Sequence, residues 1–261
     1  MHELDALQKA NLAEIAGLNQ RGGRTLSIVD LIADGTLDVP MAAYLLAAVA
    51  DGVSMLTAAG PGGTGKSTLL ASLLSFLPPG EEIFSVSGAE VIAAGMQAPR
   101  RACYVAHEIG AGHWYGYIWG AQVPAFLDLA AYGHRIAAAI HADSLRELAA
   151  QLYGAPLGAS EEQLAAIRLI CFMAMDCTSG GAVRRRVTQV HSQADGVLAP
   201  VYTWNSITDE FEQGDVEQSL SEIGRDRFAS ARELIGRLVA EDVDDFAACR
   251  AAVLAWYGDT A

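Results

Sequence analysis

The chain has 261 residues, enough for one large domain with a substantial buried core. Lys and Arg number 17 against 31 Asp and Glu, and the resulting charge of −14 is the wrong sign for a protein whose main affinity comes from wrapping nucleic-acid phosphates. The 52% apolar content argues against disorder, yet no uncharged apolar run fills the roughly 18 to 20 residues of a membrane span: Asp51 interrupts Met41 to Gly60, and glycines, His113, Gln122 and Pro124 break Ile109 to Leu127.

A cytoplasmic location is expected, because Met1-His-Glu-Leu-Asp5 lacks the basic region and apolar core of a signal peptide. Cys103, Cys171, Cys177 and Cys249 form no Cys-x-x-Cys pair. The first, second and fourth sit in apolar or helical runs and read as buried thiols, not metal ligands.

In chain order, Leu4, Leu7, Leu12, Ile15 and Leu18 share one face of a predicted amphipathic helix, which Gln20 to Arg24 ends. A short helix from Ser27 to Ile32, a turn at Gly35 and a second helix from Met41 to Ala50, introduced by Pro40, come next. Val53 to Ala58 is apolar and too short for a helix, which suits a buried parallel strand. A Gly-rich loop and a helix from Ser67 to Phe76 follow it, and Pro78-Pro79-Gly80 stops that helix. Ile83 to Val86, Ala102 to Ala106 and Ile136 to Ile140 read as further strands, giving an α/β fold with a parallel sheet covered on both faces.

After residue 165 the pattern changes. Leu169 to Met175, Arg184 to Val190 and Leu198 to Trp204 predict an antiparallel meander, with Gly180-Gly181 in its first turn. Val216 to Ile223 and Ser230 to Trp256 read as acidic helices, the second with an apolar face of Leu234, Leu238, Val243, Phe246 and Val253. The expected division is an N-terminal helix and linker over 1–26, a core over 27–205 and a helical appendage over 206–261. Repeats and low-complexity tracts are absent from the sequence.

The chemistry concentrates at Gly60-Pro61-Gly62-Gly63-Thr64-Gly65-Lys66-Ser67-Thr68, which fits G-x4-G-K-[ST] between a predicted strand and a predicted helix. Glycines let the backbone curl so that N–H groups point at phosphate oxygens, and the helix adds its positive N-terminal end. Lys66 supplies a compact charge for the β and γ phosphates, and Ser67 a hydroxyl for Mg²⁺. Lys9 and Lys66 are the only lysines in the chain, so a lysine here answers a demand that arginine does not meet.

Leu31 to Leu45, this loop and Ser75 to Val86 resemble the ATPases of type II and type IV secretion and pilus assembly, most closely the Flp/tight-adherence pilus subgroup. Gly133-His134 followed by His141-Ala-Asp-Ser144 looks like the family's His box, and Arg185 to Val190 like its C-terminal hairpin. The resemblance implies a RecA-like P-loop core that binds ATP and Mg²⁺, arranged as a hexameric ring of copies of itself beside an inner-membrane platform protein. It also implies that His134 and His141 sense nucleotide.

Two departures stand out. The family's acidic pair after its second strand falls on Ser87 and Gly88, and the nearby Glu90 reads as a solvated loop residue. Glu108 becomes the candidate to position Mg²⁺ and the attacking water, since a carboxylate at the end of a buried parallel strand faces the ligand crevice. The N-terminal domain that supplies arginines in the family has no counterpart in the 26 residues before the matched core. The insert carrying His113, Trp114, Tyr115, Tyr117 and Trp119 reads as packing of an inserted loop. Arg184 to Arg186 alternate faces on a strand, so they do not form a nucleic-acid patch.

Two functions are therefore expected from the sequence. One is an ATPase using Lys66, Ser67, Glu108 and His141; the other is a nucleotide-binding assembly or regulatory subunit, with weak hydrolysis, that works beside a complete ATPase paralogue.

Overall fold

The computed structural model describes residues 2–19, 22–60, 62–177, 181–194 and 196–260. Along the chain, α1 (His2–Gly17), α2 (Ile28–Ala33) and α3 (Val39–Ala50) lead into β1 (Ser54–Ala58), α4 (Lys66–Leu74), β2 (Glu82–Ser85) and α5 (Ala89–Gly95). Next come β3 (Ala102–Ile109), β4 (Tyr117–Ile118), α6 (Gln122–Asp128), β5 (Arg135–Ile140), α7 (Leu145–Tyr153) and α8 (Glu161–Ala165). The chain continues through β6 (Ile167–Cys177), β7 (Val183–Ala194), β8 (Val197–Asn205), β9 (Glu210–Gln213), α9 (Glu222–Ala240) and α10 (Phe246–Asp259).

The sheet runs β2-β3-β5-β1-β6-β7-β8-β9, with β4 paired to the end of β3. Pairing is parallel from β2 to β6 and antiparallel from β6 to β9, so the expected parallel α/β core with an antiparallel extension and helical tail is borne out. β1 is buried on both faces, which is why it reads as a continuous apolar run. Met55 faces a core layer built with α2, α3, α4, α9 and α10, while Leu56 and Ala58 face a second layer with α5, α6, α7 and α8.

Side chains finish what the sheet leaves open. At the β2 edge, Asn11 of α1 accepts from the Ile83 N–H and donates to the Glu81 carbonyl, and Glu14 accepts from the Ser85 N–H, so α1 covers an edge that would otherwise template pairing. Arg135, at the start of β5, is 1% exposed; it forks onto Glu81 at 2.7 and 3.1 Å and donates to the carbonyls of Val49 and Val53.

Several expectations need correction. β3 extends to Ile109, so Glu108 lies inside a strand and not after one. Val216 to Ile223 is not a helix, because Ser221 caps α9: its Oγ accepts from the Gly224 N–H and binds Asp51. The predicted helix over Ser230 to Trp256 is two helices, broken at 241–245 where Asp245 caps α10, and Val243 lies in that break. Gly180 of the predicted turn, and Gln20 and Arg21 of the predicted break, lie outside the described residues. Cys103, Cys171 and Cys249 are buried as expected, and Cys177 is exposed. No helix among the described residues is long and apolar enough to cross a membrane.

Candidate active site

The C-terminal ends of β1, β3 and β5 open on one cavity of about 490 Å³. The phosphate loop forms its floor, joining β1 to α4. Gly63 and Gly65 hold φ of +85° and +100°, a region that L side chains rarely adopt, and Gly65 is the residue at which the loop turns into α4. At Gly60 the constraint is contact instead, since a Cβ there would overlap the Asp143 carboxylate, which accepts from the Gly60 N–H at 2.5 Å. Gly62 to Thr68 line the cavity; Pro61 lies outside the described residues.

Glu108 reaches the cavity through an irregularity in β3. Ala106 and Ile109 pair with Ala138 and Ile140, so three steps on β3 match two on β5, and His107 and Glu108 both end up lining the cavity instead of facing opposite ways. Glu108 is 5% exposed, and its Oε1 has no hydrogen-bond partner among the described residues. Burial pushes the carboxyl up from its ordinary range, against the opposing pull of Lys66 and His141.

His141 closes this group. Its Nδ1 lies 2.7 Å from the Gly60 carbonyl, which fixes Nδ1–H as the donor. The 3.3 Å approach of Lys66 Nζ to the same nitrogen is then a close contact between two donors, and Nε2 faces Glu108 Oε1 at 3.9 Å. Lys66, Glu108 and His141 therefore converge on the cavity, with Ser67 and Thr68 beside them at the start of α4.

His134 does not join them. It sits at the opposite end of β5, about 23 Å away for seven residues of extended strand. There its Nδ1 accepts from the Ala102 N–H and its Nε2 donates to the Gly95 carbonyl, which makes it a buried tie between α5 and β3. Glu90 is exposed and does not line the cavity.

Other residues enter the site without having been anticipated. His107 is buried, bonds Ser85 Oγ at 2.8 Å and carries Tyr115 edge-on; burial lowers its pKa, which favours the neutral ring. Arg185 of β7 donates from Nε to the Gly63 carbonyl at 3.0 Å. The wall opposite the sheet comes from Leu18, Leu26, Leu31, Asp34 and Thr36. The only sequence signal was the position of Asp143 within the His box and of Arg185 within the arginine run.

No protein-family model matches the chain, and no curated protein does. Among solved structures, the chain is similar to the VirB11 ATPase from the Brucella suis type IV secretion system in complex with sulphate. That match has 15% identity, a TM-score of 0.41, and covers 56% of this chain and 50% of that one. It is also similar to the Legionella pneumophila ATPase DotB, at 16% identity and a TM-score of 0.35, over 71% of this chain and 53% of that one. The chain thus spans about half the length of each.

Proposed function

We propose that this chain is an ATPase that binds ATP on the loop from Gly60 to Thr68 and transfers the γ-phosphoryl group to water. The observation that carries the reading is the buried Glu108, whose Oε1 lacks a hydrogen-bond partner among the described residues and stands beside Lys66 and His141 at the mouth of the phosphate loop. The donor set fits Mg²⁺, a hard cation that takes one or two protein oxygens together with phosphate: Ser67 Oγ and the Glu108 carboxylate would hold it. Bound there, the ion would neutralise phosphate charge. Lys66 would hold the β and γ phosphates, Glu108 would orient the attacking water, and His141, tied to the Gly60 carbonyl, would keep both in register.

The sequence resemblance extends this reading to a ring of copies that couples turnover to protein export or pilus assembly at a membrane platform. In it, residues 27–205 form the nucleotide core.

A second reading is a nucleotide-gated assembly subunit without efficient turnover. It is favoured by the end of β2, where Ser85 bonds His107 and Ser87-Gly88 follow, so the β2 end supplies no carboxylate to a water.

Mg²⁺-dependent ATP turnover by the purified chain, beside Lys66→Ala and Glu108→Gln, decides between them. For the ATPase, Lys66→Ala loses binding, while Glu108→Gln binds ATP with kcat reduced about 10²- to 10³-fold. Tight ATP binding without turnover in the unaltered chain selects the second reading.

A further inference from the structure

Three consecutive arginines on β7 have different surroundings. Arg184 forks onto Asp176 at 2.9 and 2.7 Å, reaches Asp209 and lies over the Trp204 ring. Arg186 forks onto Asp209 at 2.8 Å through both nitrogens and donates to the Asp34 carbonyl. Between them, Arg185 projects to the other face of the strand, as alternation requires. It meets no carboxylate among the described residues; its side-chain hydrogen bond there runs to the Gly63 carbonyl, and it lines the cavity. In a chain of charge −14, this guanidinium is placed against the phosphate loop with no acidic partner among the described residues.

The geometry points to Arg185 as a γ-phosphate-sensing residue supplied by the same chain. This role rests on the nucleotide-binding reading above and adds what that reading lacks, an arginine that needs no neighbouring subunit. A peptide carbonyl is a modest acceptor for a guanidinium, whereas a phosphate oxygen accepts a shorter, stronger, charge-assisted bond from its planar fork. Arrival of a triphosphate would draw the fork from Gly63 towards the terminal phosphate. The β6–β7 hairpin would follow, because Met173 of β6 already rests against Gly65 and the Val187 N–H donates to the Thr36 carbonyl on the cavity wall. A diphosphate ends short of that position and leaves the arginine on its carbonyl.

The test is Mg²⁺-dependent binding of ADP and of a non-hydrolysable ATP analogue to the unaltered chain, Arg185→Ala and Arg185→Lys. Because the side chain is exposed, all three should share one thermal midpoint. Arg185→Ala is expected to lose about tenfold or more in affinity for the triphosphate and less than about twofold for ADP. Arg185→Lys, with its charge but not its fork, should fall between. Equal loss for both nucleotides would make Arg185 a clip that only shapes the loop, and no loss for either would remove it from the site; both results overturn the inference while leaving nucleotide binding intact. An unaltered chain that binds neither nucleotide overturns the nucleotide reading itself, and the sensing role with it.

Discussion

The carboxyl of Glu108 stands in the cavity where burial opposes its ionisation. Burial raises its pKa above the value in the unfolded chain, so the folded state holds the proton more tightly. The stability this contributes is fully present below the unfolded carboxylate pKa and is lost as pH rises through the folded one. Ionising the carboxyl as pH rises therefore costs the folded state, the more so because Oε1 has no hydrogen-bond partner among the described residues, and Glu108→Gln removes that cost. The variant should be more stable than the parent by about 1 kcal/mol at pH 7, with the difference shrinking towards pH 4, as read from urea midpoints. A variant less stable at neutral pH would mean that Lys66 and His141 outweigh desolvation. At this scale the sequence was legible where the chemistry is local, as in the run from Gly60 to Thr68. Asp143 and Arg185 were not legible as loop contacts, because they reach it across 83 and 122 residues. The predicted strand over Ile136 to Ile140 already set His134 and His141 at opposite ends, but which end opens on the cavity was not legible from the spacing of the His box.

Among the elements, strands were the more legible because β1, β3 and β5 are buried on both faces and leave compact apolar runs. Short helices such as α5 and α8, of seven and five residues, give too little periodicity to be read. In the tail, apolar spacing continued across 241–245 although the backbone breaks there, so one helix was expected where two exist. The join between β5, the α3–β1 turn and the segment entering β2 was invisible for another reason: Arg135 and Glu81 lie 54 residues apart. Their pairing is buried, at 1% and 6% side-chain exposure, so removing one partner strands the other. Glu81→Ala should destabilise the fold by about 3 to 5 kcal/mol, measured by urea unfolding, and Arg135→Met combined with it should recover a large part of that loss. A single variant that costs less than about 1 kcal/mol would mean that the carbonyls of Val49 and Val53 satisfy the guanidinium unaided.

For the molecule as a whole, the question is whether the tail is an appendage or part of the core. α3 is buried all round, from Met41 to Val49, so no face of it is built for water. α9 covers one side of it through Leu234, Ile235 and Leu238 and is fixed there by the contact of Ser221 with Asp51. α10 then ties both ends of the described chain to the layer around α4. Arg250, held down to about 10 by burial, donates to the carbonyls of Ser75 and Leu77 beyond α4 and to Gln8 of α1, and Tyr257 donates to the Phe76 carbonyl. Those carbonyls lie just past the helix that begins with Lys66, so the tail braces the helix that carries the phosphate loop. Removing residues 221–261 would expose the apolar surface of α3 and leave three carbonyls after α4 without these donors. The expected product is an aggregating chain with no cooperative thermal transition, while Tyr257→Phe, which deletes one hydroxyl, should fold and lose only about 1 kcal/mol. A truncated chain that stays monomeric and melts cooperatively would show the first 220 residues to be self-sufficient, and would free the tail for a role outside the fold.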